Sequence, residues 1–332
     1  MKRILQSAFL IFFIICGHQV GAALNPDDIL QAIVKVRSTV PGDAITARAL
    51  GTEREGNGVV IDSNGLVLTI GYLILEAETI EVIDAAENRV PARFVGYDHG
   101  TGFGLLKTGK PLKVKPIELG ESSKISQGDP VLVVGHGGTE AVQGARVLSR
   151  GEFTGYWEYM LENAIYAAPP HPGFGGAALI GRDGQLVGIG SIFTQLAVPG
   201  VGTVACNMFV PIDLLKPILN NLKTSGRSGK PSRPWLGVHL DESHGRVIVI
   251  RVSEGGPAER AGIQPGDIVL TVDKKAVQGL AECYRKIWAL GKAGVEVTIS
   301  VLQGTQIREV KIRSADRHKH LQLKPGKGIK NV

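Results

Sequence analysis

Residues 171–189 read HPGFGGAALIGRDGQLVGI, and this stretch decides how the first two thirds of the chain are read. Gly173, Gly175 and Gly176 surround Phe174 just after His171 and Pro172, and an aliphatic run follows at 177–180. That is the shape of a loop that presents an attacking side chain, yet residues 171–179 contain no serine, threonine or cysteine. What such a loop still offers is main chain, because glycine leaves its N–H uncovered and tolerates positive φ. Asp183-Gly184 is then a tight hairpin signal that leads into the strand-length run 186–190.

The same pattern recurs on both sides of the loop. Residues 32–36, 58–61, 66–70, 79–83, 92–96, 103–107 and 131–135 are β-branched or aliphatic runs of strand length, with a second turn dipeptide at Asn64-Gly65. Many short strands, frequent glycine and little helical periodicity predict a barrel or sandwich, so the fold class is mostly β. At 211–223, Ile212, Leu215, Ile218, Leu219 and Leu222 recur at helical spacing and predict a helix closing a first domain at residue 222. Residues 223–233, rich in Ser, Gly and basic side chains, have the composition of a linker. Beyond it, 234–315 predicts a smaller α+β unit. Its parts are an alternating strand at 246–252, a short helix opened by Pro257, a turn at 264–267, an amphipathic helix at 277–290 and two closing strands. The tail 316–332 has no apolar periodicity and is expected to be basic and disordered.

The other end of the chain has the order of a secretory signal peptide: Lys2 and Arg3, an apolar run from Ala8 to Cys16, then small residues at Gly21 and Ala22. The apolar run is too short for a membrane span, which needs roughly 20 residues. Residues 1–22 are therefore expected to be removed and the rest exported. Cys206 and Cys283 fall in different domains and are expected to be separate buried thiols, with an interdomain disulfide as the open alternative. The net charge of +6 is uneven: residues 1–22, 222–234 and 317–332 hold eleven Lys and Arg and no acid, which leaves the folded parts mildly acidic. An exported chain with 5% aromatic residues argues against nucleic acid as a partner.

Four segments, in order, resemble the HtrA (Deg) family. GNGVVIDSNGLVLTIGYLI (56–74), VGYDHGTGFGLLK (95–107) and HPGFGGAALIGRDGQLVGI (171–189) resemble the three catalytic segments of its protease domain. RPWLGVHL (233–240) with GGPAERAGIQPGDIVLTVDKKAV (255–277) resembles the start and centre of its PDZ domain. The resemblance implies a trypsin-like double β-barrel followed by a smaller α+β PDZ domain. It also implies that the histidine, aspartate and serine positions of the triad are Tyr72, Gly102 and Gly175. Glycine supplies no nucleophile, and a phenol of ordinary pKa about 10 is a poor base near neutrality. The expectation is thus a chain that is not an enzyme. It would be a periplasmic protein binding polypeptide C-termini or unfolded segments as chaperone, scaffold or modulator of an active HtrA-type protease. A homo-oligomer, as the family's trimers imply, is expected, and no cofactor is.

Two alternatives stay open. One is a serine-type endopeptidase with a relocated nucleophile, for which Thr69, Thr101, Ser191 and Thr194 are the nearby hydroxyls. The other is a metal-dependent enzyme using His99, His136 and His171. In the glycine loop, the resemblance makes the N–H groups of Gly173 and Gly175 a residual oxyanion loop. In the PDZ unit it makes Trp235, Leu236, Gly237 and Val238 the carboxylate-binding loop, with the N–H groups of the last three forming a nest for a peptide C-terminus. A peptide would add as a strand between 238–240 and the 277–290 helix. Leu236, Val238, Leu280, Tyr284 and Ile287 are the groove candidates, with ordinary core packing as the competing reading of each. LDESHGRV (240–247) is shorter than the family's usual segment, which predicts a different outer wall for the groove.

Overall fold

The structure is a computed structural model that describes residues 25–321 and 323. The expected signal peptide and most of the expected tail lie outside the described residues. Helix α1 (Pro26–Ala32) is the first element described, with Pro26 in its first turn and the Asn25 side chain accepting from the Asp27 N–H. Strands β1 (Ile33–Thr39), β2 (Glu53–Val60), β3 (Leu66–Ile70), β4 (Thr79–Ile83), β5 (Arg89–Tyr97) and β6 (Phe103–Thr108) follow, with the short α2 (Ala47–Leu50) between β1 and β2. They close in the order β1-β2-β3-β6-β5-β4.

A second set repeats this order: β7 (Pro130–Val134), β8 (Val142–Gly155), β9 (Tyr159–Ala168), β10 (Ala178–Ile180), β11 (Leu186–Val198) and β12 (Gly202–Pro211) close as β7-β8-β9-β12-β11-β10. Closure leaves neither sheet an unpaired edge around the ring. Val59, Leu68, Phe103 and Leu105 fill the first barrel, and Val133, Ile165, Leu179 and Phe209 fill the second. Each strand expected before residue 222 lies in β1–β7 or β11. Strands β8, β9, β10 and β12 are not among the expected runs. In β8 the reason is visible: bulges at Val147/Ser149 and Gly151/Phe153 break the alternation that a strand reading relies on. The helix expected at 211–223 is divided. A single 3₁₀ turn at Ile212–Leu214 comes first and α3 (Leu219–Ser225) starts after Pro217, whose ring cannot continue a helix through it. Gly226, left-handed at φ 73°, ends α3 inside the expected linker.

The C-terminal sheet runs β13 (Val238–Ser243), β14 (Arg246–Val252), β15 (Ile268–Val272), β17 (Glu296–Gln303), β18 (Gln306–Arg313), with the two-residue β16 (Lys275–Ala276) paired to β15. Helices α4 (Pro257–Arg260) and α5 (Leu280–Ala289) cover it. Leu240, Val249, Val269, Cys283, Tyr284 and Ile299 share its separate core. Cys206 and Cys283 are both free and buried. The expected disordered tail is corrected at its start: α6 (Arg317–His320), capped by the Asp316 carboxylate, packs onto the rest of the molecule and Leu321 is buried. Its Arg317 donates to the Trp157 carbonyl (2.9 Å), His318 bonds the Tyr97 carbonyl (2.8 Å), and the His320 ring lies 4.4 Å from that of Trp235. These contacts tie the C-terminal unit to both barrels. Among the described residues no helix is long and apolar enough to cross a membrane.

Candidate functional site

The three positions implied by the resemblance converge between the barrels. Gly175 sits before β10, Tyr72 in the 3₁₀ turn after β3, and Gly102 immediately before β6. The Gly102 carbonyl accepts from the Gly71 N–H (2.7 Å), which fixes the turn carrying Tyr72. The Tyr72 hydroxyl then reaches across to donate to the Ser191 carbonyl (2.8 Å). It fills the space in front of the glycine loop: a Cβ at Gly175 would lie 2.7 Å from that oxygen. Burial pushes the Tyr72 phenol far above its usual value, so it is a neutral hydrogen-bond donor here. Gly102 is held at φ 83° with the Tyr159 hydroxyl and Ile70 beside it, a conformation that disfavours any side chain.

The glycine loop is pinned by a residue that sequence reasoning passed over. Asn57 of β2 donates from Nδ2 to the carbonyls of Gly173 (2.7 Å) and Gly175 (3.1 Å), and its Oδ1 accepts from the His136 N–H (2.7 Å). Its main-chain N–H also donates to the Gly175 carbonyl (2.8 Å). The expected pair of oxyanion donors is altered at one member: the Gly173 N–H turns inward and donates to His171 Nδ1 (3.0 Å). Positive φ falls on Gly176 at 75°, rather than on Gly173 or Gly175. Replacing Asn57 by alanine would strip a partner from three main-chain groups around the loop. At roughly 1 kcal/mol per bond, less some relaxation, this should destabilise the first domain by about 2 kcal/mol. A fall of about 6 °C in its thermal transition is expected, read by calorimetry on the full chain.

The other hydroxyls and histidines do not assemble into a second centre. Thr69 Oγ1 donates to the Asn57 carbonyl (2.6 Å), and Thr101 Oγ1 accepts from the Phe103 N–H (3.3 Å). His136 bonds the Asp84 carbonyl through Nε2 (3.0 Å), while His99 bonds the Glu158 carbonyl (3.0 Å). Among the described residues no three His, Cys, Asp or Glu side chains are placed to share a metal ion.

In the C-terminal unit the three N–H groups expected to form a nest converge on a carboxylate of the chain itself. The N–H groups of Leu236, Gly237 and Val238 donate to the side chain of Glu158 at 3.0, 2.7 and 3.0 Å. Gly237 permits this at φ 79°, with the Trp235 ring 3.2 Å from where its Cβ would be. Glu158 belongs to the β8–β9 turn of the second barrel. The same turn supplies the Tyr156 carbonyl to the Leu240 N–H (2.8 Å). Tyr284 of α5 sits under it, donating to the Gly155 carbonyl and accepting from the Glu158 N–H, both at 3.1 Å. Leu236, Val238, Leu280, Tyr284 and Ile287 are accordingly all buried. Trp235 departs from the expectation, because its main chain bridges to Ala315 and its ring meets His320, outside the groove. The far end of the groove is walled by Glu242, whose carboxylate accepts from the Leu280 N–H (2.7 Å) and caps α5. Burial pushes the Glu158 carboxyl up to about 7, against the opposing pull of the nest donors and of Arg317.

Barrel order and nest define a trypsin-like domain joined to a PDZ domain, and comparison with known proteins agrees. Residues 56–189 match the trypsin-like peptidase domain family, and residues 234–313 match the PDZ domain family. The chain belongs to the HtrA family. It is 31% identical over 268 residues to a "Probable periplasmic serine endoprotease DegP-like" of Pseudomonas putida (strain W619), covering 75% of this chain and 53% of that one. It is 28% identical over 298 residues to a protein of the same name in Pseudomonas fluorescens, covering 82% and 59%. The chain thus spans about half the length of these curated relatives. Among solved structures it is similar to the HtrA-type protease AlgW with decapeptide, at 22% identity and TM-score 0.52, covering 87% of this chain and 96% of that one. The same protease with tripeptide aligns at 22% identity and TM-score 0.50, covering 88% and 97%. At that identity the structures speak to the fold alone. The relatives do correct one expectation. They are named serine endoproteases, which points toward a protease and overturns the reading, drawn from Tyr72, Gly102 and Gly175, that the chain is not an enzyme.

Proposed function

We propose that this chain is a periplasmic polypeptide-binding member of the HtrA family whose PDZ domain recognises the carboxylate at the end of a polypeptide chain. The observation that carries the reading is the nest itself: three successive N–H groups, at Leu236, Gly237 and Val238, converge on one carboxylate at 2.7–3.0 Å. Leu240 beside it has an N–H that takes the Tyr156 carbonyl, and a main-chain bond at that position is how an added peptide strand would be held. The names of the relatives and the order of residues 1–22 support the periplasm as its location. The test uses the full chain and a fluorescein-labelled decapeptide with a free or an amidated C-terminus. The unsubstituted chain should bind the free form at least tenfold tighter than the amide. Gly237→Asp, which sets a negative charge in the nest, should remove that preference. Equal binding of both peptides would refute the reading.

Peptide-bond hydrolysis is the second reading, favoured by the relatives named as serine endoproteases. Gly175 has no nucleophile to give, so the reacting group would be another hydroxyl of the barrels, such as Thr69, Thr101, Ser191 or Thr194. Labelling with a serine-directed phosphonate, followed by peptide mapping, decides it. Modification of a single residue within 60–200 identifies the nucleophile, and absence of any label contradicts hydrolysis by that route.

A further inference from the structure

We propose that residues 156–158 are an internal ligand of the PDZ groove, so that a polypeptide C-terminus binds only by displacing Glu158. The inference rests on the reading of the nest as a C-terminus site.

The turn reproduces both halves of that recognition from within the chain. Its carboxylate takes all three nest donors, and its carbonyl two residues earlier takes the N–H of Leu240 on the edge strand β13. The main chain at Glu158 is strained to present this side chain: φ is 55°, in the left-handed region, for a residue with a long side chain. Four further main-chain groups of residues 155–158 are also engaged. The Glu158 N–H meets Tyr284, its carbonyl meets His99, the Trp157 carbonyl meets Arg317, and the Gly155 carbonyl meets Tyr284. Glu158 itself is 2% exposed, whereas Tyr156 at the outer end of the turn is 49% exposed. An entering chain therefore has a starting point, at the open end of the groove, from which to replace the turn stepwise.

The exchange is close to balanced in hydrogen bonds, because one carboxylate replaces another on the same three donors. What differs is that Glu158 returns to water, which relieves the desolvation its burial imposes. The apparent affinity for a free C-terminus is then the intrinsic affinity reduced by the fraction of time the nest is vacant. The ligand class this defines is a polypeptide terminus with an apolar last residue, since Leu236, Val238 and Ile287 share the core on which the nest rests.

The experiment compares the full chain with Glu158→Ala and Glu158→Gln. The probe is a fluorescein-labelled mixture of decapeptides randomised at nine positions and ending in valine, as free acid or amide, titrated by anisotropy. Glu158→Gln preserves the shape of the turn while replacing one accepting oxygen by a donor, so it weakens the internal ligand without emptying the joint. Both variants should bind the free-acid mixture at least tenfold tighter than the unsubstituted chain and should not gain affinity for the amide. Equal or weaker binding by both variants would overturn the internal-ligand proposal while leaving C-terminus recognition in place. Absence of free-acid binding in all three proteins would overturn recognition of C-termini, and the proposal with it.

Discussion

Gly176→Ala should unfold the glycine loop between the two barrels, at a cost of about 4 kcal/mol. Gly176 lies at φ 75°, and left-handed backbone alone is unfavourable by roughly 1–2 kcal/mol for a residue with a Cβ. The steric contact is the larger part. A Cβ there would come within 1.9 Å of the Asn57 carbonyl oxygen and 2.8 Å of Thr69 Oγ1, which themselves share a hydrogen bond of 2.6 Å. These are main-chain and buried atoms with no flexible end to swing aside, so the β2 main chain or the loop must shift. Either shift breaks the Asn57 bonds to Gly173 and Gly175. Calorimetry of the full chain should show the barrel transition lowered by about 10 °C, with the PDZ transition unmoved. A fall of less than 2 °C would mean that the loop has room this structure does not show.

The second large expected result is a domain joint that loosens between pH 5 and pH 8. Burial holds the docked Glu158 carboxyl at about 7, whereas in solvent its reference value is 4.5. Between those values the docked state binds more protons than the undocked state. Its contribution is therefore fully present below about pH 4.5 and is lost as pH rises through 7. At 1.36 kcal/mol per pKa unit the change is about 3 kcal/mol. The groups facing Glu158 do not reverse this. Tyr284 and Cys283 of α5 are raised by burial, so both remain neutral. Burial and the Arg317 charge keep His99 well below its usual range and neutral throughout. Asp316, held low by its Arg227 partner, titrates below the window. Fluorescence transfer between labels on the second barrel and the PDZ domain should fall from pH 5 to pH 8 in the unsubstituted chain and stay flat in Glu158→Gln. A pH-independent signal in both would contradict the assignment of that carboxyl.

Much of the fold was legible because its signals are local. Asn64-Gly65 and Asp183-Gly184 mark hairpins, the strand runs recur at short intervals, and Pro257 opens a helix where expected. The loop 171–179 was legible for the same reason, since its glycines announce where main chain must be bare, whereas the nest at 236–238 was expected from the resemblance of RPWLGVHL to the start of a PDZ domain. Asn57 and Glu158 were not. Asn57 stands in a strand sequence as one polar residue among several, and its partners at Gly173 and Gly175 lie 116 and 118 residues away. Glu158 is a lone acid among Tyr156, Trp157 and Tyr159, and the nest it fills begins 78 residues later. No period or spacing reports such a contact. Tyr72 was read as a replaced base, and only the fold brings its phenol into the space before Gly175. The α6 segment looked disordered for a related reason: four residues carry no apolar period, and its order comes from Arg317, His318 and His320 meeting distant groups.

The most direct test of the account is amide hydrogen exchange in the full chain, with and without a decapeptide bearing a free C-terminal carboxylate. The account predicts opposite changes in two places on binding: the amides of 155–158 lose protection while those of Leu236, Gly237 and Val238 keep theirs on the new carboxylate. Peptide binding that leaves 155–158 fully protected would contradict it.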